Sequence, residues 1–369
     1  MCNKWVYRFF SYSVMLVFVA SCSPKSTPIP ATNTLPIPTN TIPATNTMPI
    51  TTALPQPSNT VAPPTDTLIP PTETPIPPTE TQIASNTSGP TQATFVNPSI
   101  YDIPAMYEVT IKDLKFNSIT EPIQSLPMKI YYPPNWKTGQ MLPAVILAND
   151  WPQGGKWTSL NYPLSTLGLL SNYEGWGRII AANGLIAVAY ETAYPDDLEA
   201  VVKYIQDNAT DLGIDATRLG LFGESSNSML VGSFSNQENR GYIKFAVYLV
   251  GDAELADSPW YQPSVDACKQ YGCYFGELPK VTKMRTDLPI FVVNVGNLSP
   301  DGVADMNYYL QQVKEQGIPM TYVYFAAGYD GFDYKINTSG MELSPEQMTE
   351  GIKIIQQAVD FMKKYASAP

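Results

Sequence analysis

The sequence has no histidine among its 369 residues. That absence takes the imidazole out of every chemical role. No Ser-His-Asp triad, no histidine general base and no histidine-ligated metal can be assembled from this chain. Charge is also scarce: Asp, Glu, Lys and Arg make up 15% of the residues, with 22 basic against 33 acidic side chains and a formal net charge of −11. A nucleic-acid binder would show a basic face, so no nucleic-acid partner is expected. Cysteine is limited to four positions, and without histidine beside them these make no zinc site. Neither a metal nor a cofactor is expected. Proline is in excess instead: 35 are too many for one compact domain and must be concentrated somewhere.

Residues 1–22 read as an export signal. Lys4 and Arg8 form a short basic start, Tyr12 to Ala20 is an apolar run, and the small residues Ala20 and Ser21 precede Cys22. The run is shorter than the roughly 20 residues needed to cross a bilayer. Val19-Ala20-Ser21-Cys22 resembles the lipobox of bacterial lipoproteins. That resemblance implies cleavage before Cys22, a lipid on Cys22, and a domain anchored to the bacterial cell envelope outside the cytoplasm. An ordinary secretory signal with an incidental cysteine is the alternative. Cys2 would be discarded with the signal in either case.

Residues 23–96 read as a Pro/Thr-rich linker. Between Ser23 and Pro90, 17 of 68 residues are Pro and 17 are Thr, and the segment IPPTET occurs at 69–74 and again at 76–81. Proline removes backbone donors and fixes φ, so neither a helix nor a sheet ladder can propagate here. The tract lacks the apolar surface needed to offset the entropy of ordering its backbone. A disordered, extended stalk is expected, reaching at most about 3.1 Å per residue.

Residues 97–369 have ordinary composition and form the expected domain, long enough for one large core. Tyr107–Lys115 and Met128–Tyr132 predict an initial antiparallel pair, and Leu142–Ala148 predicts a buried central strand because it is apolar throughout. A helix is expected over Glu174–Asn183 and a strand over Leu185–Tyr190. Pro195-Asp196-Asp197 then opens a helix whose Leu198, Val201, Val202 and Ile205 fall at helical spacing. Further strands are expected at Arg218–Phe222, Phe245–Val250, Ile290–Val295 and Thr321–Phe325. The helix Val303–Glu315 should bury Val303, Met306, Leu310 and Val313. Ser344-Pro345-Glu346-Gln347 carries a cap, a proline and a reciprocal glutamine that start the last helix. Alternating strands and helices predict an α/β three-layer sandwich, with a mainly parallel sheet flanked by helices. Residues 252–288 break the rhythm and read as an insertion or cap.

The most informative segment is Gly223-Glu224-Ser225-Ser226-Asn227, lying between the apolar strand Arg218–Phe222 and a helix-compatible stretch. It resembles the nucleophile elbow G-x-S-x-G, a sharp strand-to-helix turn that lifts a serine above a sheet. With Trp176–Gly184 and Leu212–Gly220, it makes most of 105–366 similar to the α/β-hydrolase fold, in the dienelactone-hydrolase-like branch of small esterases and lactonases. The resemblance places Ser225 at the nucleophile position. It implies one oxyanion donor at the Ser226 amide and a second near Asn149-Asp150.

The pattern also breaks. Asn227 stands where the last glycine of the elbow belongs. The acid position falls about at Leu298, with Asp301 three residues on as a substitute acid. Gly328-Tyr-Asp-Gly-Phe-Asp333 matches the turn that normally carries the histidine, which puts Asp330 in the base position. The expectation is a degenerate site serving ligand or partner binding, with a small ester, lactone or sugar-like ligand. The alternative is an unconventional esterase or lactonase using Ser225 with Asp330 as base. An aspartate with an ordinary pKa of about 3.9 is a weak base at neutral pH, which favours the first. Lys156 and Lys335 have no spacing that recommends them as serine activators. Glu224 reads as a solvated or hydrogen-bonded carboxylate without a catalytic role. Cys268 and Cys273 are expected to form a short-loop disulfide in the insertion. Trp260, Tyr261, Tyr271, Tyr274 and Phe275 crowd the same region, either as packing or as a ligand wall. Nothing in the sequence fixes an oligomeric state.

Overall fold

The structure is a computed structural model that describes residues 95–149, 169–194, 196–225, 227–250, 255–259, 279–298, 300–335 and 342–367, with the backbone alone at 169–172 and 301. The expected signal and lipobox with Cys22, nearly all of the stalk, Cys268 and Cys273, and the five aromatics of the insertion lie outside the described residues.

The strands are β1 (Thr110–Asn117), β2 (Ser125–Tyr132), β3 (Leu142–Leu147), β4 (Ile186–Tyr190), β5 (Ile214–Glu224), β6 (Ile243–Leu249), β7 (Ile290–Val295) and β8 (Met320–Phe325). They form one sheet in the order β1-β2-β4-β3-β5-β6-β7-β8. β2 runs antiparallel to both of its neighbours. Every other adjacent pair is parallel, with Leu147 beside Phe222, Phe222 beside Val247 and Val295 beside Phe325. A parallel strand needs cover on both faces. The helices that supply it are α1 (Leu169–Ala182), α2 (Asp197–Asp207), the single turn α3 (Ala209–Leu212), α4 (Asn227–Ser235), α5 (Pro300–Glu315) and α6 (Pro345–Ala366).

Alternation along each strand divides the core in two. On β3, Ala144 and Ile146 join a cluster with Leu198, Val201, Val202 and Ile205 of α2, Leu230 of α4 and Met306 of α5. Val145 and Leu147 point the other way, toward Tyr173 and Trp176 of α1 and Ile354, Ala358 and Phe361 of α6. The result is three layers, helices on sheet on helices, as the sequence predicts. Gly220 is required where β5 meets the second cluster, because a Cβ there would lie 2.1 Å from the Phe245 ring.

Element boundaries shift in specific ways. Tyr107 belongs to a 3-10 turn, Pro104–Glu108, that precedes β1. The helix expected from Glu174 begins at Leu169. β5 is eleven residues long and starts at Ile214. On α5, Met306 and Val313 are buried as expected, but Val303 is exposed and Tyr309 takes the inward place. The start of α6 has the full reciprocal cap, Ser344 accepting from the Gln347 amide while the Gln347 side chain accepts from the Ser344 amide. Described parts of the region read as an insertion pack onto the first cluster through Leu255, Met284 and Leu288. No helix among the described residues is long and apolar enough to cross a membrane.

Candidate active site

The chain turns sharply at the C-terminal end of β5. Ser225 has φ of 53°, a left-handed conformation that costs a non-glycine residue of order 1–3 kcal/mol. It is held there by its amide, which donates to the Leu249 carbonyl at 3.0 Å, and by its own carbonyl, which accepts from the Ser228 amide at 3.0 Å. Gly223 is the residue that permits the bend: a Cβ at that position would sit 2.7 Å from the Asn227 carbonyl oxygen and 2.8 Å from the Ser228 nitrogen. The helix that follows, α4, is buried along its whole length.

Asn227, at the position where an elbow usually has glycine, is buried and committed. Its Nδ2 donates to the Tyr173 hydroxyl at 2.7 Å, and that hydroxyl donates to the Ala148 carbonyl at 2.5 Å. The first turn of α4, helix α1 and the end of β3 are thereby tied together beneath the serine.

Above the elbow comes the loop after β8. Ser225 Oγ donates to Asp330 Oδ2 at 3.0 Å. Asp330 is half-buried, on a turn whose Gly331 has φ of 79°. Burial raises its carboxyl pKa to about 6, against the lowering effect of the Ser225 hydroxyl and the Gly331 amide. Phe332, fully buried edge-on against Phe325, pins the turn to the core.

Two further residues of the same turn reach inward. Asp333 is buried and its Oδ2 accepts from Trp176 Nε1 at 2.7 Å. The Tyr334 hydroxyl donates to Glu224, the residue immediately before the nucleophile position. An N-terminal segment closes the back of the turn. Ser99 Oγ and the Ile100 amide both donate to the Asp333 carbonyl at 2.9 Å, and Ser99 bridges Tyr334.

The other sequence-nominated positions fare differently. Of the two alternatives for Glu224, solvated or hydrogen-bonded, the structure has the second: it is buried and accepts from the Tyr334 hydroxyl. The Asn149 amide is already donated to the Tyr190 hydroxyl at 3.1 Å, so it is unavailable to an oxyanion; Asp150 and Ser226 lie outside the described residues. Asp301 has its backbone in the first turn of α5, and its side chain lies outside the described residues. Leu298 packs against the second core cluster. Lys335 pairs with Asp102 at 3.6 Å and donates to the Asn97 carbonyl at 3.2 Å, and Lys156 lies outside the described residues. Among the described residues no group of three or more Cys, Asp and Glu side chains is arranged to hold a metal.

No family model matches the chain, and no curated protein is similar to it. Solved structures do resemble it. A variant of the esterase rPPE superposes with a TM-score of 0.52 at 15% identity, over 72% of this chain and 85% of that one. The domain has the α/β-hydrolase fold. Two further esterases are similar at lower scores. One is Est2 from Thermogutta terrifontis, with TM-score 0.48, 14% identity, and 71% of this chain and 96% of that one covered. The other is from Rhizomucor miehei, with TM-score 0.49, 17% identity, and 70% and 85% covered. Within the α/β-hydrolase fold, the residues gathered here come from the C-terminal ends of β5 and β8, the edge where parallel sheets of this kind present their ligands.

Proposed function

We propose that the domain is a slow carboxylic-ester or lactone hydrolase that works with a serine–aspartate pair, Ser225 as nucleophile and Asp330 as general base. The hydrogen bond from Ser225 Oγ to Asp330 Oδ2 carries the reading. Its electrostatic setting supports it: a carboxyl raised to about 6 is mostly ionised at neutral pH, yet far more basic than an exposed aspartate. The fold shared with the rPPE esterase variant and the resemblance to dienelactone-hydrolase-like enzymes support an acyl substrate.

The step balances with these two side chains. As Ser225 Oγ bonds to the substrate carbonyl carbon, its proton passes to Asp330 and the carbonyl electron pair moves onto oxygen. Collapse re-forms the carbonyl and expels the alkoxide, which takes the proton from Asp330 and leaves as alcohol. Water then attacks the acyl-serine and gives a proton to Asp330, and collapse returns that proton to Ser225 as the acid departs. Without an imidazole to match the serine, turnover falls short of triad catalysis by roughly 10²–10⁴-fold.

A second reading, a binding site without turnover, draws on Leu298, which stands at the acid position and is packed with the core. The lipobox-like Val19-Ala20-Ser21-Cys22 and the Pro/Thr tract support an exported domain held to the envelope by a lipid on Cys22. Purified full chain assayed on short p-nitrophenyl esters decides between the readings. The hydrolase reading expects turnover lost in Ser225→Ala; a rate indistinguishable between the wild type and that variant contradicts it.

A further inference from the structure

A second carboxyl pair lies directly behind the serine. Glu224 precedes Ser225 in the chain, Asp333 follows Asp330 by three residues, and both are buried. Of the four carboxylate oxygens, Asp333 Oδ2 accepts from Trp176 Nε1 and Glu224 Oε2 accepts from the Tyr334 hydroxyl. Asp333 Oδ1 is buried and accepts no hydrogen bond, while the Tyr334 hydroxyl and the residue's own amide also bear on that carboxyl. An orphaned buried carboxylate oxygen is among the costliest polar states a protein can hold. Two ionised carboxylates side by side are also mutually repulsive, and a third, Asp330, stands beside them. One proton removes both penalties, because a protonated Glu224 is the donor that Asp333 lacks, and the two side chains are already partners for such a bond.

We propose that Glu224 keeps its proton at neutral pH and donates it to Asp333 Oδ1, and that this shared proton holds the 330–334 turn, and Asp330 with it, against Ser225. Glu224 and Asp333 are thus positioning residues. Each of the three links from the turn ends on the elbow or on helix α1: Asp330 on Ser225, Tyr334 on Glu224 and Asp333 on Trp176. The groups facing the pair are Asp330 and Tyr334 from the turn itself, Trp176 from α1, and the Ser99 hydroxyl on the Asp333 carbonyl, with Tyr173 of α1 beside Tyr334. Burial raises both acids in the same sense, Asp333 to about 7 and Glu224 well above its ordinary value.

A group protonated when folded and ionised when unfolded makes the folding constant fall tenfold per pH unit. Folded Glu224 and folded Asp333 are raised, so their contribution is complete at low pH and is lost as pH rises. The unfolding equilibrium of the full chain is measured by denaturant titration across neutral and mildly alkaline pH, for wild type, Glu224→Gln and Asp333→Asn. Glutamine still accepts from Tyr334 and still donates to Asp333, without a proton to lose. The wild-type folding constant is expected to fall with pH more steeply than that of Glu224→Gln, by up to tenfold per unit. Equal slopes overturn the proposal. Should both variants fail to fold, infrared spectra of the wild type decide alone: a carboxylic-acid carbonyl band persisting at neutral pH supports the shared proton, and its absence overturns it. The effect on the base rests on the hydrolase reading, whereas the proton count does not. A slope difference without ester turnover therefore removes only that reading, and turnover without a slope difference removes only the shared proton.

Discussion

Ser225 and Asp330, 105 residues apart in sequence, share a hydrogen bond of 3.0 Å between the end of β5 and the loop after β8. In the arrangement that the elbow resembles, that space holds an imidazole. Here a carboxylate faces the serine hydroxyl, and its surroundings make it more basic than an exposed aspartate. Burial lifts Asp330 to about 6, two backbone- and hydroxyl-derived bonds limit the rise, and the side chain stays ionised at neutral pH.

Removing the base while keeping its shape isolates its role. Asp330→Asn retains an oxygen for the Ser225 hydroxyl to donate to but cannot take a proton. Ester turnover should fall by about 10²–10⁴-fold, with a smaller change in KM than in kcat. Steady-state rates on p-nitrophenyl acetate check this.

Activity and stability should move in opposite directions with pH. The base works when ionised, so kcat/KM should rise through about pH 6 and fall about tenfold per unit below it. The same raised carboxyl contributes stability that is complete below its unfolded value of 3.8 and is lost as pH rises through about 6. Melting curves at pH values on either side of 6, compared with Asp330→Asn, should show the pH dependence reduced in the variant.

Restoring the usual glycine of the elbow should harm the protein. Asn227→Gly deletes the donor to the Tyr173 hydroxyl and puts glycine in the first turn of a buried helix. A loss of about 1–3 kcal/mol is expected, read as a lower denaturant midpoint. A variant as stable as the wild type would show that the Asn227–Tyr173–Ala148 chain has no structural weight.

Trp176→Phe keeps the ring against Phe222 but removes the donor to Asp333 Oδ2. The buried carboxyl then loses its strongest neutral partner, and a destabilisation of about 1–3 kcal/mol is expected by denaturant unfolding.

Much of this was legible in the sequence. Buried parallel strands are continuous apolar runs, so β3, β4 and β7 stand out without any alternation to decipher. Gly223 and the Ser344–Gln347 cap are local signals whose geometry the chain must obey. The turn that carries Asp330 has a recognisable spelling, and the structure brings Asp330 to Ser225. The Glu224–Asp333 pair has no such signal, because the two lie more than 100 residues apart and nothing near either one announces the other. Val303, Met306, Leu310 and Val313 share helical spacing, but Tyr309 has more surface to bury and takes the inward position, leaving Val303 exposed and Leu310 half-buried. The second oxyanion donor is expected by position alone near Asn149-Asp150; the Asn149 amide donates to the Tyr190 hydroxyl at the end of β4, and Asp150 lies outside the described residues.

In the proposed mechanism Ser225 is a nucleophile activated by Asp330. Labelling of the full chain by a fluorophosphonate tests it most directly, followed by peptide mapping and repeated with Asp330→Asn. The account predicts one adduct, on Ser225, forming at a rate that rises through about pH 6 and drops in the variant. No adduct at any pH, or an adduct formed equally fast without the carboxylate, would contradict it.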